Sequence, residues 1–189
     1  MPTLPTIVSG GTEFLNPKTI LSQHVRVLPN QMVGALGCGG AGFFALEAAR
    51  MVGNQGQVYA VDIVKNALSS VDSKAKLQGL YNFKTVWSDL EVFGATAIPE
   101  KSLDLAMLVN ILFQSKQHEA IIRESARLIK PGGKLLIIDW NQASVAFGPK
   151  LSDRVDQDAI RALVPQLGFQ EDKIFEAGQY HFGLLYTRL

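Results

Sequence analysis

Residues 31–63 read QMVGALGCGGAGFFALEAARMVGNQGQVYAVDI, and this stretch decides the fold. The apolar residues 31–36 predict a strand, the glycine-rich residues 37–42 its exit loop, and residues 43–52 a helix with a broad apolar face. The unbroken apolar run within residues 57–63 predicts a second strand that is buried on both faces. A strand, a helix and another strand in this order are typical of a parallel α/β unit.

The same alternation continues to the end of the chain. We predict a first helix over residues 16–25, a helix over 64–78, one with apolar spacing up to Ile129, and one over 157–167 that Pro165 kinks or ends early. The remaining strands are predicted at residues 83–87, 103–109, 134–139, 169–176 and 181–188. Four residues separate the last two strands, too few for a parallel crossover, so these strands should be antiparallel.

The composition indicates one soluble globular domain. Of 189 residues, 47% are apolar and 19% are charged, and the length allows a sizeable core without a metal or disulfide. We therefore expect a single domain over residues 1–189, with an N-terminal cap segment and helix at 1–28 and a cofactor-binding core at 31–189. A formal net charge of +1 does not favour a nucleic-acid partner.

Cysteine usage and the N-terminus indicate where the protein works. Cys38 is the only cysteine, which excludes an intramolecular disulfide and a multi-cysteine zinc site. Residues 1–11 carry no Lys or Arg ahead of an apolar run and no stretch long enough to span a bilayer. We expect a cytoplasmic protein without a membrane partner. Its oligomeric state stays open, and a monomer is compatible with the sequence.

The loop after the first strand is a literal G-x-G-x-x-G motif over residues 37–42. Residues without Cβ let a ligand lie against the main chain, and the helix N-terminus presents unpaired N–H groups. Asp62 stands twenty residues beyond Gly42, at the end of the second strand, where a carboxylate can accept both hydroxyls of a ribose. The combination implies a cofactor that contains adenosine.

Four segments resemble the motifs of class I S-adenosylmethionine-dependent methyltransferases, and they are most similar to the type 11-like branch of quinone-biosynthesis and arsenite methyltransferases. These segments are VGALGCG at 33–39, GQVYAVDI at 56–63, DLAMLVN at 104–110 and LIKPGGKL at 128–135. The resemblance implies an α/β, Rossmann-like, seven-stranded mixed sheet in the order 3-2-1-4-5-7-6, with strand 7 antiparallel and helices on both faces. It also implies S-adenosyl-L-methionine as cofactor, S-adenosyl-L-homocysteine as product and a small-molecule acceptor.

The resemblance also assigns site residues. Asp62 would hold the ribose and Ile63 would lie against the adenine, whose amino edge Asp89 and Leu90 would recognise. Asn110 would border the methyl group. The cofactor-binding residues so implied are Gly37, Cys38, Gly39, Gly40, Gly42, Asp62, Ile63, Asp89, Leu90 and Asn110.

Two features keep other functions open. The family usually has an acidic residue two positions before the first motif glycine, and Ala35 occupies that position here. A non-catalytic S-adenosylmethionine-binding protein is therefore one alternative. The literal G-x-G-x-x-G motif makes an NAD(P)-binding Rossmann protein another. Methylation of ribosomal or transfer RNA is a third, which the balanced charge argues against.

The acceptor pocket should lie beyond the carboxyl ends of the strands. Phe14, Phe113 and Trp140 are its candidate walls, although core packing is an equal alternative for each. Asn110 and Asp139 are the candidate catalytic residues, and for Asp139 a helix-capping or solvated role is the main alternative. No metal is predicted, because the three histidines lack metal-ligand spacing: His24, His118 and His181.

Overall fold

The computed structural model describes residues 14–189, in which a seven-stranded sheet carries the fold. The strand order β3-β2-β1-β4-β5-β7-β6 is the predicted one. Strands β1 to β5 pair in parallel, and β7 runs antiparallel to both β5 and β6. The strands are β1 (Met32–Leu36), β2 (Gln57–Asp62), β3 (Phe83–Trp87), β4 (Leu103–Val109), β5 (Ile129–Trp140), β6 (Phe169–Gly178) and β7 (His181–Arg188).

Helices cover both faces of the sheet, as the α/β prediction requires. The helices are α1 (Pro17–Thr19), α2 (Phe43–Val52), α3 (Lys65–Leu77), α4 (His118–Leu128) and α5 (Gln157–Leu163). Successive strand residues point to opposite faces, so Ala60 packs in the core beneath α2 and Val61 in the core beneath α4. Of the predicted N-terminal cap segment, 1–28, the first thirteen residues lie outside the described part of the chain.

The first helix differs from the prediction in its hydrogen bonding. Asn16 caps it as expected, accepting from the Thr19 N–H at 3.0 Å, but only α1 is α-helical and residues Ile20–Val25 form a π-helix. An apolar pattern of two turns is too short to distinguish i→i−4 from i→i−5 bonding. At the other end of the chain, α5 stops at Leu163 and Pro165 lies in a 3₁₀ turn, which confirms the predicted early end.

Strand β5 begins five residues before its predicted start. Ile129 already pairs with Leu103, and the register then shifts before Leu105 pairs with Lys134. A Cβ on Gly133 would lie 2.9 Å from the carbonyl oxygen of Leu103, so only glycine permits this close approach of β4 and β5. The glycines that predicted a turn instead allow an irregular strand start.

A buried carboxylate ties the loop after β3 to helix α4. Glu124 is fully buried, and its carboxylate accepts from the N–H groups of Gly94 at 2.7 Å and Thr96 at 3.0 Å. It also forms an ion pair with Arg127 at 2.6 Å. These hydrogen bonds outweigh the effect of burial and lower the pKa of Glu124 to about 2. The Glu124–Arg127 pair therefore holds the loop that follows β3, since Arg127 also donates to the Thr96 carbonyl oxygen at 2.9 Å.

We expect Glu124→Gln to lower the free energy of unfolding by about 3 kcal/mol at pH 7, because the neutral amide removes the buried charge that pairs with Arg127 and leaves one loop N–H without an acceptor. A carboxyl whose folded pKa is depressed stabilises the fold above its unfolded pKa. The difference between the two proteins should therefore shrink as the pH falls from about 4 toward about 2. Urea unfolding across this range measures it.

The exposed Glu119, in the first turn of the same helix, provides the matched control. Glu119→Gln should change the free energy of unfolding by less than about 0.5 kcal/mol. Equal effects of the two substitutions would show that the Glu124 network does not stabilise the fold.

Candidate functional site

A cavity of about 470 Å³ opens at the carboxyl ends of β1 to β4. Ligands of open α/β sheets bind at this edge, because the loops that follow parallel strands converge there. It is lined by Gly37, Cys38, Gly39, Gly40, Asp62, Ile63, Val64, Ala67, Ser88, Asp89, Leu90, Glu91, Val109, Asn110, Ile111, Gln114, Ser115 and Ile121.

The structure brings most of the predicted site residues together around this cavity. Nine of the ten predicted cofactor-binding residues line it, while Gly42 lies behind the loop and Asp139 does not line it. A Cβ on Gly42, where φ is +63°, would lie 2.1 Å from Cγ2 of Val71 in α3. The third motif glycine therefore lets α2 begin close against α3.

The glycine-rich loop must turn sharply to leave β1. Gly37 has a φ of +76°, and a Cβ there would lie 2.1 Å from Cδ1 of Ile111. The backbone of Gly37 consequently packs directly against the side chain of Ile111, which follows β4. A ligand in the cavity faces main chain on this side.

Asp62 links the loop to the end of β2. One carboxylate oxygen accepts from the Gly39 N–H at 2.9 Å, and the other accepts from the Val64 N–H at 2.9 Å. Each carboxylate oxygen can accept more than one hydrogen bond. Asp62 can thus fix the loop and still accept hydroxyl groups from a ligand in the cavity.

Two side chains of α3 hold the same loop from the opposite side. Ser70 Oγ donates to the carbonyl oxygen of Gly40 at 3.0 Å, and Lys74 Nζ donates to it at 2.6 Å. Sequence reasoning missed both residues, because an exposed face of a helix about thirty residues away carries no motif signal. The loop is therefore held at the Gly39 N–H and at the Gly40 carbonyl.

Asn110 presents an unpartnered polar atom beside the cavity. The residue is 6% exposed and has a φ of +57°, and its Oδ1 has no hydrogen-bond partner among the described residues. Its own carbonyl oxygen accepts from Gln114 Nε2 at 2.7 Å, which ties the turn after β4. A buried acceptor without a partner is costly unless a ligand or water supplies the donor.

The charged side chains that line the cavity all have the same sign. Asp62, Asp89 and Glu91 contribute carboxylates, and no Lys, Arg or His among residues 14–189 lines it. The Glu91 carboxylate accepts from Ser115 Oγ at 2.6 Å, which joins the loop after β3 to the loop after β4. Sequence reasoning missed Glu91, which belongs to no motif. The cavity favours a ligand with positive charge.

Burial and the negative charge keep the Cys38 thiol protonated. Burial first, and then the nearby Asp62 carboxylate, raise its pKa to about 12. A nucleophilic cysteine requires a depressed pKa. The Cys38 thiol is therefore protonated at neutral pH and is not activated as a nucleophile.

Ala35 leaves a small space beneath the glycine-rich loop. A cavity of about 30 Å³ is lined by Ala35 and shares Gly37, Cys38 and Val109 with the large cavity. That volume accommodates about one water molecule. Ala35 itself is 4% exposed, so a longer side chain at this position would point into the small cavity.

Asp139 is buried behind the loop that follows β4. One carboxylate oxygen accepts from the Phe113 backbone N–H at 3.2 Å, and the other accepts from the backbone N–H of the next residue, Trp140, at 2.8 Å. Burial raises the pKa of Asp139 to about 7, so its carboxyl group holds a proton at slightly acidic pH. The contact with Phe113 joins the end of β5 to the 3₁₀ turn Leu112–Gln114, and the complete burial of Asp139 excludes the solvated alternative.

The three candidate acceptor walls are divided between the two faces of the sheet. Phe14 and Trp140 lie with their ring centroids 6.0 Å apart, and Phe147 stacks on Phe14 at 5.0 Å. The cluster continues into Tyr180, 5.6 Å from Phe14. Phe113 packs against the core of the opposite face. Two of the three predicted walls therefore meet, and the third does not join them.

The histidines lie apart from one another. His118 Nε2 is 2.9 Å from the carbonyl oxygen of Leu112, and the ring of His24 stacks on Phe175 at 4.1 Å. His181 is buried against Trp140, and burial followed by the charge of Arg154 lowers its pKa to about 4.

Residues 14–189 contain no group of three or more His, Cys, Asp or Glu placed to hold a metal ion. The same residues form no helix of the length and hydrophobicity that crossing a bilayer requires.

Solved structures share this fold over nearly the whole chain. An S-adenosylmethionine-dependent methyltransferase from Aquifex aeolicus superposes with a TM-score of 0.84, at 22% identity, over 94% of this chain and 92% of that one. Phosphoethanolamine N-methyltransferase 2 of Haemonchus contortus, in complex with S-adenosyl-L-methionine, has a TM-score of 0.73 at 12% identity, over 91% of this chain and 52% of that one. The sheet order and the closing antiparallel pair thus define the class I methyltransferase fold.

Sequence comparison gives the family. The family model of a methyltransferase domain matches residues 35–137, more than half of the chain, and the protein belongs to that family. A ubiquinone/menaquinone biosynthesis C-methyltransferase of Marinomonas sp. is 28% identical over 163 residues, 86% of this chain and 61% of the relative. A demethylmenaquinone methyltransferase of Geobacillus kaustophilus is 28% identical over 111 residues, 59% of this chain and 46% of the relative. The chain spans about half to three fifths of the length of these relatives.

We expect Lys74→Met to loosen the glycine-rich loop, because Gly40 loses its charged donor and keeps only Ser70. Amide hydrogen exchange of residues 39–41 should become about tenfold faster, the effect of one charge-assisted hydrogen bond. Lys76→Met on the same helix, where Lys76 pairs with Asp72 at the surface, is the matched control and should leave these amides unchanged. Identical exchange rates in the two variants would contradict a holding role for Lys74.

Proposed function

We propose that this protein binds S-adenosylmethionine in the 470 Å³ cavity and transfers the methyl group to a small-molecule acceptor. The observation that carries the proposal is the charge of the lining, which is Asp62, Asp89 and Glu91 without a basic side chain among residues 14–189. Membership of the methyltransferase domain family supports the same reaction class.

The charge of the cavity favours a sulfonium over a dinucleotide. S-adenosylmethionine carries a positive sulfur, which carboxylates attract, whereas the pyrophosphate of NAD is negative and is repelled by them. The literal G-x-G-x-x-G motif supplies backbone N–H groups for either ligand, so the motif does not discriminate. An acid at the position of Asp62 is also common to both kinds of site, so the carboxylates of Asp89 and Glu91 are the side chains that disfavour the NAD(P) alternative.

The residues present fit this cofactor. Asp62 retains acceptor capacity for two ribose hydroxyls, and the exposed Ile63 offers an apolar surface to the adenine. Asp89 and Leu90 line the side of the cavity at the end of β3, where the adenine amino edge would lie. The unpartnered Asn110 Oδ1 is a candidate acceptor for the ammonium group of the methionine end. Gly37, Cys38, Gly39 and Gly40 bring main chain to the same end.

When bound, S-adenosylmethionine supplies an electrophilic methyl group, and the protein aligns it with the acceptor and excludes water. An acceptor that is already ionised requires no strong base, whereas an alcohol or ammonium does. Asp139 is the candidate group for holding a proton, since burial raises its pKa to about 7. Asn110 is the candidate for positioning the methyl end. Both roles are proposals that follow from their place at the ends of β4 and β5.

The acceptor is proposed only as a small molecule. The names of the relatives describe quinone-pathway C-methyltransferases, and the present chain spans only part of their length. The aromatic cluster of Phe14, Trp140 and Phe147 offers a planar apolar wall near the carboxyl end of β5. An acceptor with an apolar ring would suit that wall.

Calorimetric titration with S-adenosylmethionine, S-adenosylhomocysteine and NAD tests the proposal. Binding of the first two without the third is the expected result. Asp62→Asn should weaken both by about tenfold or more, because a charged acceptor of two hydroxyls is replaced by a neutral one. Asp72→Asn, a surface substitution on α3, should leave both affinities unchanged. Binding of NAD alone would contradict the proposal.

A second candidate function is the binding of S-adenosylmethionine without catalysis. It is suggested by Ala35, whose side chain cannot bind the ammonium group of the cofactor. If Ala35 weakens the binding of S-adenosylmethionine, Ala35→Asp should raise the affinity for this cofactor by about tenfold, because a carboxylate enters the adjoining 30 Å³ cavity. Ala35→Asn is the matched neutral control. The affinity for 5′-methylthioadenosine, which lacks the ammonium, should stay constant in both variants.

An equal gain for 5′-methylthioadenosine would show that the new side chain acts through the fold and not through the ammonium group. No gain for either ligand would show that the carboxylate is dispensable in this chain. Isothermal calorimetry of the three proteins with the two ligands distinguishes these outcomes.

A further inference from the structure

A second cleft lies at the opposite edge of the sheet, at the amino ends of β4 and β5. Its volume is about 490 Å³, which is within the range of small-molecule sites. It lies between the end of the π-helix, the irregular start of β5 and the middle of β6. Its lining residues are Gln23, His24, Val25, Arg26, Leu28, Gln31, Asp104, Leu105, Lys130, Gly132, Gly133, Lys134, Asp172, Lys173 and Leu185.

The charge of this cleft is the opposite of that of the cofactor cavity. Four cationic side chains and two carboxylates line it. Asp104 pairs with Lys130, and it also accepts from the Met32 N–H at 2.7 Å. Asp172 pairs with Lys134 at 2.7 Å. Both carboxylates are therefore neutralised by lysines.

Two cations remain without a carboxylate. Within residues 14–189, neither Arg26 nor Lys173 has a carboxylate within 4.0 Å. The pKa of the His24 imidazole is lowered, first by burial and then by the positive charge of Lys173. The Nδ1 atom of His24 is buried and has no partner among the described residues. The cleft thus holds an excess of two positive charges beside a neutral ring.

The cleft also has an apolar side and open space. Leu28 is 59% exposed and lines it, with Leu185 beneath. A Cβ on Gly132 would meet no atom within 4 Å, so the start of β5 leaves the cleft open. A ligand with an anionic group and a small apolar body matches both parts of this surface.

We propose that the cleft binds a phosphate group, held by Arg26 and Lys173, with the apolar body of a phosphate monoester lying against Leu28. A guanidinium presents paired donors that match the oxygens of a phosphate, and an ammonium adds a point charge. Two unpaired cations balance the charge of a phosphate dianion. This site is separate from the cofactor cavity and does not depend on the function proposed for it.

Titration with phenyl phosphate and with inorganic phosphate, in a phosphate-free buffer, tests the proposal. Calorimetry gives the affinity, and the NMR shifts of the His24 ring protons report whether the ligand occupies this cleft. Tighter binding of phenyl phosphate is the expected result, whereas equal or tighter binding of inorganic phosphate would show that Leu28 holds no apolar body and would overturn the assignment of a monoester. Failure of both to bind, or binding without a shift at His24, would overturn the proposal.

Two variants and a control locate the site. Lys173→Gln removes one cation, and Arg26→Asn removes the other while suiting the φ of +61° at this position. Each should weaken phosphate binding by about tenfold. Lys84→Gln, an exposed lysine on β3 at the far side of the sheet, makes the same charge change and should leave binding unchanged. Equal losses in all three variants would indicate a general charge effect and overturn the assignment.

Discussion

The hydrogen bond between the Gly39 N–H and the Asp62 carboxylate is the interaction on which the site depends. It joins the loop after β1 to the end of β2, and therefore fixes the glycine-rich turn against the neighbouring strand. The same carboxylate begins the turn into α3, whose residues Ser70 and Lys74 hold the Gly40 carbonyl. One acid thus organises both sides of the loop. Without this hydrogen bond, the glycine-rich loop would no longer be fixed as the main-chain wall of the cavity.

The electrostatics of the molecule divide along the strands. The carboxyl ends of β1 to β4 surround a cavity lined by three carboxylates, while the amino ends of β4 and β5 border a cleft with excess positive charge. The formal net charge of +1, which sums 18 basic and 17 acidic side chains over the whole chain, does not reveal this division. A cationic cofactor suits the first surface and an anionic ligand suits the second.

Much of the fold could be predicted because local patterns and tertiary packing agree. The β1–loop–α2–β2 segment is specified by apolar runs, glycines and one acid, and the motif resemblance supplied the strand order, which is confirmed. The start of β5 could not be predicted, since Gly133 permits a close contact with Leu103 that no local pattern encodes. The π-helix was missed for a similar reason, because two helical turns carry too little periodicity.

The site was predictable where residues follow strands in sequence, as Asp62 and Asn110 do. It was not predictable where contacts cross between elements, as with Lys74 on Gly40 or Ser115 on Glu91.

The measurement that tests the account most directly is a crystal structure of the protein with S-adenosylhomocysteine. We expect both ribose hydroxyls on the Asp62 carboxylate and the amino group of the ligand near Asn110 Oδ1. A ligand bound outside the cavity, or a ribose turned away from Asp62, would contradict it.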